Sequence, residues 1–437
     1  MRPPGDTATI YALATPAGRS AVAVVRISGS QTRALIEQLT GHAAPPPRRA
    51  ALRVLRSLDG VEIDQGLVTY FPAPHSYTGE DCAEFGLHGG RAVIAAMVQA
   101  LSSGGLARQA EPGEFTQRAF LAGKLDLTQA EGIADLIDSE TEYQRRQALR
   151  VVGGGLSARL GDWRNGLISL SAALEAQLDF SDEGDVGDAA LGELIRDCNE
   201  LASAIQAEVA KGARSRRMRE GFTVVIAGPP NAGKSSLYNA LIGREAAIVS
   251  DVPGTTRDLL SARLDFNGAL ITLIDSAGQR PSADPIERIG VGRAKAAVES
   301  ADLVLWLNAP GLSEPGPAGS LAIWSKSDLQ PPPAGGGMPI SVATGDGLQA
   351  LENAVHAAAV AATGDGSDGL LIRERHEAAL RACVDSIEQA REQIAVGRYE
   401  LAAEDLRSAL HALGRLAGRV DVEDVLGEIF GRFCIGK

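Results

Sequence analysis

Lysine is nearly absent from this chain. Of its 42 basic residues only six are lysines: Lys124, Lys211, Lys234, Lys295, Lys326 and Lys437. Where positive charge is otherwise written as arginine, each lysine marks a place suited to a compact ammonium rather than a planar guanidinium. Positive charge is also in deficit overall. The 55 acidic residues leave a net charge of −13, which excludes non-specific coating of nucleic acid and leaves only local RNA contacts. Cysteine is scarce too. Cys82, Cys198, Cys383 and Cys434 show no Cys-x-x-Cys spacing, so neither a zinc ribbon nor a disulfide framework is indicated, and reduced cytosolic thiols are expected. No stretch approaches the roughly 18 apolar residues of a membrane span, and the run Ala21–Val25 is too short for a signal peptide. A cytoplasmic protein without a membrane contact is therefore expected. No internal repeat is present. What the chain does have is length: at about 150 residues per domain, 437 residues suggest roughly three domains.

Three textures divide it. The first 120 residues alternate short apolar runs with turn signals. Ala21–Ile27 and Gly66–Phe71 predict strands, and Gln31–Leu39 and Ala92–Leu101 predict helices. From Leu125 to about residue 210 the apolar period becomes helical, as in Ala130, Ile133, Ala134, Ile137 and in Leu167, Leu170, Leu174, Leu178. The acidic stretch Asp179–Asp188 predicts a loop. The same texture returns from Ile372 onward, with Leu406, Leu410, Leu413 and Leu416, while Phe222–Ala362 alternates strands and helices. The fold class is thus α/β and all-α multidomain. An N-terminal α/β domain (1–120) precedes a helical domain in two parts (121–213 and 367–437), into which a second α/β domain (214–366) is inserted. The expected linkers are Gly212–Gly221 and Gly364–Gly369.

The inserted segment carries the sharpest chemistry. Thr223–Ala227 predicts a strand that runs into Gly228-Pro229-Pro230-Asn231-Ala232-Gly233-Lys234-Ser235, a GxxxxGK[ST] match, and Ser236–Leu241 can begin a helix. Strand, loop and helix in that order are the context a phosphate-binding loop requires. The glycines let N–H groups turn inward and the helix N-terminus adds a favourable dipole. Lys234 would reach the β- and γ-phosphates and the Ser235 hydroxyl would ligate Mg²⁺. Gly254-Thr255-Thr256-Arg257-Asp258 lies where a switch loop belongs, so that a threonine hydroxyl completes the Mg²⁺ shell. Leu270–Ile274 then delivers Asp275-Ser276-Ala277-Gly278, a DxxG. Ser325-Lys326-Ser327-Asp328 follows, where Asp328 can accept from guanine N1 and N2 and so select GTP over ATP. Ile340-Ser341-Val342-Ala343 closes the base pocket, its backbone N–H serving O6. Ser325 stands where asparagine is usual. It has no amide to tie the base loop to the phosphate loop, which predicts weaker guanine affinity. These elements in order read as a GTPase.

Further runs extend along the whole chain: Ala14-Thr15-Pro16, Val25-Arg26-Ile27-Ser28-Gly29, Tyr77-Thr78-Gly79-Glu80-Asp81, His88-Gly89-Gly90, Pro112-Gly113-Glu114-Phe115, Arg118-Ala119-Phe120-Leu121, Lys124-Leu125-Asp126-Leu127, Glu287-Arg288-Ile289-Gly290 and the terminal Phe433-Cys434-Ile435-Gly436-Lys437. With them the chain resembles the bacterial tRNA modification GTPase family MnmE (TrmE). The resemblance implies a Ras-like G domain and an N-terminal folate-binding, dimerising domain in which Arg26, Glu84, Lys124 and Lys437 contact 5-formyl- or methylene-tetrahydrofolate. It implies a homodimer that joins the flavin-dependent MnmG (GidA) in a heterotetramer or larger complex, acting on the wobble uridine of certain tRNAs. For GTP it implies contacts from Asn231, Ala232, Gly233, Lys234, Ser235, Ser236, Ser250, Thr255, Thr256, Asp275, Ser276, Ala277, Gly278, Ser325, Lys326, Ser327, Asp328, Ser341, Val342 and Ala343. Mg²⁺ would sit at Ser235 and Thr256, and K⁺ at Asn231, Ser250, Val252 and Thr255. Lys234, Thr256 and Glu287 would act in catalysis. Gln279 follows the DxxG where Ras-type GTPases place a water-orienting glutamine; the resemblance favours Glu287. A ribosome-assembly or signalling GTPase, a switch without small-molecule chemistry, is the alternative. His88 reads equally as a turn residue and a catalytic one. Arg214, Arg216, Arg217 and Arg219 read as a solvated basic linker before an RNA contact.

Overall fold

The computed structural model describes residues 7–179, 188–244, 246–248, 260–276, 295–367, 369–370, 373–418, 423–431 and 433–436. The chain divides into two units, residues 1–134 with 414–437, and residues 135–413.

The first unit runs β1 (Ile10–Leu13), β2 (Val22–Ser28), α1 (Thr32–Thr40), β3 (Ala51–Arg56), β4 (Glu62–Phe71), β5 (Cys82–His88), α2 (Arg91–Ser103), β6 (Arg108–Gln109) and α3 (Glu114–Leu121), with α4 (Leu127–Ile137) leading out. Its sheet has the order β3-β4-β5-β2-β1-β6. Strand alternation decides its two faces. Val25, Ile27 and Phe85 point into a core shared with Leu35, Ile36 and Leu39 of α1 and Met97 and Leu101 of α2. Arg26 and Glu84, one residue out of phase, therefore stand on the opposite face, half-buried. A second cluster joins Leu127 and Ala130 to Leu426, Ile429, Phe430 and Phe433, so the last residues of the chain complete the unit begun by the first.

The second unit opens with α5 (Glu142–Val152), α6 (Gly155–Asp179) and α7 (Asp188–Glu220). Leu167, Leu170 and Leu174 of α6 are buried, as their spacing predicts, and Cys198, Ala202 and Ile205 of α7 are buried too. The expected linker at Gly212–Gly221 is corrected: α7 continues to Glu220, and only Gly221 breaks it, with φ +95°. Gly212 is a packing glycine rather than a hinge. A Cβ there would lie 2.8 Å from the Glu377 carboxylate. The residues between Asp179 and Asp188 lie outside the described ones.

Then follow β7 (Phe222–Ala227), α8 (Lys234–Arg244), β8 (Ala246–Ile248), β9 (Leu260–Phe266), β10 (Ala269–Asp275), β11 (Leu303–Asn308), β12 (Leu321–Trp324), β13 (Met338–Pro339) and α9 (Leu348–Thr363). The sheet order is β13-β12-β11-β7-β10-β9-β8. β7 lies in parallel between β10 and β11, whereas β9 runs antiparallel to β10. Burial on both faces explains the nearly continuous apolar runs of β7 and β10. Gly364, Gly366 and Gly369 take positive φ at the exit, and α10 (Glu374–Ala395) and α11 (Tyr399–Ala417) resume the helical texture. The chain closes with α12 (Glu423–Gly431) in the first unit.

Candidate functional site: a phosphate loop, a base loop and a second polar site

β7 ends in the centre of its sheet and its chain must turn sharply into α8. Gly228 takes φ +141°, and a Cβ on it would lie 2.2 Å from the Leu307 carbonyl, so only glycine fits. Asn231 at φ +62° and Gly233 at φ +98° complete the turn. Lys234 is buried, and its Nζ donates to the carbonyls of Gly228 at 2.9 Å and Pro229 at 2.8 Å. Burial lowers its pKa from the ordinary lysine value, partly opposed by the Asp275 carboxylate. Its charge is thus held inside the loop by carbonyls that an arriving phosphate can replace.

Parallel pairing of β10 with β7, in the register Asp275↔Ile226, brings the DxxG aspartate to the same edge. The Ser235 hydroxyl donates to Asp275 Oδ2 at 2.8 Å. A hydroxyl and a fully buried carboxylate form an all-oxygen donor set suited to a hard divalent cation. Ser276 caps the end of β7, its N–H and hydroxyl both donating to the Ile226 carbonyl.

The base loop follows β12. Asp328 is exposed with its carboxylate open, and Ser327 N–H donates to the Ile340 carbonyl, fixing the loop against the segment that carries Ser341, Val342 and Ala343. Ser325 corrects one part of the expectation drawn from its missing amide, that the base loop is left untied from the phosphate loop. Its hydroxyl does tie the loops, donating to the Ala232 carbonyl at 2.5 Å, with the Asn308 carbonyl at 3.1 Å. Lys326 adds a second tie, from Nζ to the Asn231 carbonyl at 3.1 Å. Neither tie was read from the sequence. Of the remaining expected residues, Ser250, Val252, Thr255, Thr256, Ala277, Gly278, Gln279, Glu287 and Lys437 lie outside the described ones.

A second polar site lies in the first unit. Arg26 and Glu84 are direct cross-strand partners, joined at 2.8 Å. Both donating arginine nitrogens meet Glu84 Oε1, and no described residue bonds Oε2. The guanidinium lies 5.4 Å from the Tyr77 ring centroid and 5.8 Å from that of Phe115, two lining rings the sequence did not announce. Lys124 Nζ donates to the Pro74 carbonyl at 2.9 Å, its stem passing Gly79. The tail reaches the same unit: Ile435 bridges to Pro112, and Gly436 lies so close to Leu13 that a Cβ would meet its carbonyl at 2.2 Å.

Several motifs resolve into support. Arg118 joins Glu80 and Glu114, and Arg108 also meets Glu114, at 2.6 Å. His88 donates its N–H to Asp64, whose other carboxylate oxygen meets the ring Nδ1 at 2.8 Å, an exposed imidazole anchored in its turn. The arginines near residue 216 are not a linker. They sit on α7, where Arg216 lies 3.5 Å from Glu377 and Arg219 lies 2.8 Å from Asp135.

A phosphate loop after the central strand, a hydroxyl–carboxylate pair beside it and an aspartate-bearing base loop define a P-loop GTPase. The comparisons specify it further. The MnmE helical domain matches residues 127–434, and the GTP-binding protein TrmE N-terminus matches residues 9–124. The tRNA modification GTPase MnmE of Methylobacterium sp. (strain 4-46) is 50% identical over 438 residues, covering 99% of this chain and 100% of the relative. That of Rhodopseudomonas palustris (strain ATCC BAA-98 / CGA009) is 48% identical over 439 residues, covering 98% and 99%. The chain belongs to the tRNA modification GTPase MnmE family.

Proposed function

We propose that this GTPase works with the flavin-dependent MnmG to add an aminomethyl or carboxymethylaminomethyl group at C5 of the wobble uridine of certain tRNAs, with a tetrahydrofolate as one-carbon donor. The observation that carries this reading is the pairing, in one chain, of a GTPase loop with the separate Arg26–Glu84 site, in the unit to which the tail returns. Glu84 Oε2 is free to accept from pteridine N–H groups, and Arg26, Lys124 and Lys437 supply positive charge for the anionic tail of a folate. We further propose a cytoplasmic homodimer, in keeping with the absence, among the described residues, of any helix long and apolar enough to cross a membrane. The working domains are residues 1–120, 121–213, 214–366 and 367–437.

In the nucleotide site, Asp328 accepts from guanine N1 and N2, and backbone N–H groups at Ser341–Ala343 serve O6. Lys234 exchanges its two loop carbonyls for phosphate oxygens, which favour its charged form and reverse the effect of burial. Ser235 and Thr256 would hold Mg²⁺, with Asp275 orienting the serine. Asn231, Ser250, Val252 and Thr255 would hold K⁺. The K⁺ would supply positive charge against the phosphates where another GTPase uses an arginine finger. Glu287 positions the attacking water.

Nucleoside analysis of tRNA from a deletion strain tests the reading. The modified wobble uridine should disappear, return with the intact gene and fail to return with Lys234→Ala. An unchanged nucleoside profile in the deletion strain would refute it.

A further inference from the structure

Ser325 has one hydroxyl proton, and the structure shows where it goes. The side chain is buried, its Oγ 2.5 Å from the Ala232 carbonyl and 3.1 Å from that of Asn308. Both neighbours accept, so the single donor is committed to backbone. The Ser325 N–H is committed as well, to the Asn308 carbonyl at 2.8 Å. A carboxamide at this position would carry two N–H donors, enough to hold the loop and still reach the base; a hydroxyl carries one. The ammonium of Lys326 is drawn to the Asn231 carbonyl at 3.1 Å.

Guanine presents four recognisable features: N1–H and the N2 amine, which donate, and O6 and N7, which accept. Asp328 takes the first two and the Ser341–Ala343 backbone takes O6. We propose that this GTPase reads guanine through N1, N2 and O6, with no donor to N7 among the described residues, and that Ser325 acts as a positioning residue that ties the base loop to the phosphate loop. The inference rests on the Asp328 base-pocket reading given above, and the nucleotides in its test separate the two.

The test is competitive displacement of a fluorescent GDP analogue from the full chain by GTP, 7-deaza-GTP, ITP and ATP. 7-Deaza-GTP, with carbon in place of N7, should bind within about twofold of GTP. ITP, which lacks the N2 amine, and ATP should each lose about tenfold or more, the scale of one or more hydrogen bonds. Ser325→Asn should restore a donor and make GTP bind about tenfold better than 7-deaza-GTP. Ser325→Ala should weaken GTP and 7-deaza-GTP by the same factor, because only the tie is lost. A tenfold loss for 7-deaza-GTP in the parent protein overturns the proposal and leaves the Asp328 reading standing. A selective loss of GTP in Ser325→Ala also overturns it, since the hydroxyl would then be serving N7. ITP and ATP binding as tightly as GTP overturns the Asp328 reading, and the proposal with it.

Discussion

Arg26 and Glu84, 58 residues apart in sequence, stand directly opposite each other on β2 and β5, and their side chains meet at 2.8 Å. Both arginine nitrogens use the same carboxylate oxygen, so the pair is held in place while no described residue bonds the other oxygen, Oε2. Glu84→Gln keeps the shape and removes the charge. Since hydrogen bonds to charged groups are worth about 1.5–3 kcal/mol, binding of 5-formyl-tetrahydrofolate, followed by isothermal titration, should weaken by roughly ten- to a hundredfold, with nucleotide affinity unchanged. Unaltered folate affinity would remove Glu84 from that site.

The phosphate loop was legible in the sequence because its chemistry is local. Eight consecutive residues carry the lysine, the hydroxyl and the glycines that the turn demands, and at Gly228 a Cβ would collide with the Leu307 carbonyl. The Arg26–Glu84 pair was not legible from spacing, because strand register sets it and register is written in the phase of the buried neighbours. Resemblance named those residues; the sheet explains them. Gly212 misled, because a glycine beside arginines reads as a hinge until a second helix brings Glu377 against it. Ser325 misled for a different reason: the missing amide was visible, but not the Ala232 carbonyl within reach of its hydroxyl.

The four cysteines should separate by reactivity. Burial pushes the Cys383 thiol up to about 12, and burial with the Asp197 charge pushes Cys198 up to about 11. Cys82 is also buried and lies among the Ser28 and Thr78 hydroxyls. Cys434 alone of the four is exposed. Thiolate is the reactive form, so native protein at about pH 8 should show one fast thiol with Ellman's reagent, absent in Cys434→Ser. Any fast thiol remaining in that variant would contradict the packing described.

Glu114 links acid to stability. Burial pushes its carboxyl up, but Arg108, the Glu111 N–H and Arg118 together hold it below the ordinary value of 4.5. A depressed folded-state pKa contributes stability that is full above the unfolded value and is lost as pH falls through the folded one. Glu114→Gln removes the carboxylate that Arg108 and Arg118 share, while Arg118 keeps Glu80, and should cost about 2 kcal/mol near neutrality, the scale of hydrogen bonds to a charged group. Urea melts between about pH 7 and 3 should show parent and variant converging as the parent's carboxylate takes up its proton. A difference that stays constant across that range would mean the ion network contributes nothing through charge.

Hydrolysis turns on which residue positions water, Glu287 or Gln279, both outside the described residues. Glu287 carries charge and can act as a base through a bridging water, whereas Gln279 can only orient by hydrogen bonding. Neither is expected to hold the ground-state phosphates, a role that falls to Lys234 and the loop N–H groups. Removing the true water-positioning group should lower turnover by roughly 10²–10⁴-fold, the usual scale for such a role, with little change in affinity. Glu287→Ala should therefore nearly abolish GTP hydrolysis with GTP binding intact, and Gln279→Leu should cost less than about tenfold. The measurement is single-turnover hydrolysis in K⁺ with protein in excess, beside a binding titration. Na⁺ at equal ionic strength should give slower hydrolysis in the parent protein, since the proposed oxygen ligands around Asn231 serve as a K⁺ site. If Gln279→Leu is the inactive variant and Glu287→Ala hydrolyses normally, the water is held in the Ras manner and the glutamate has no catalytic part.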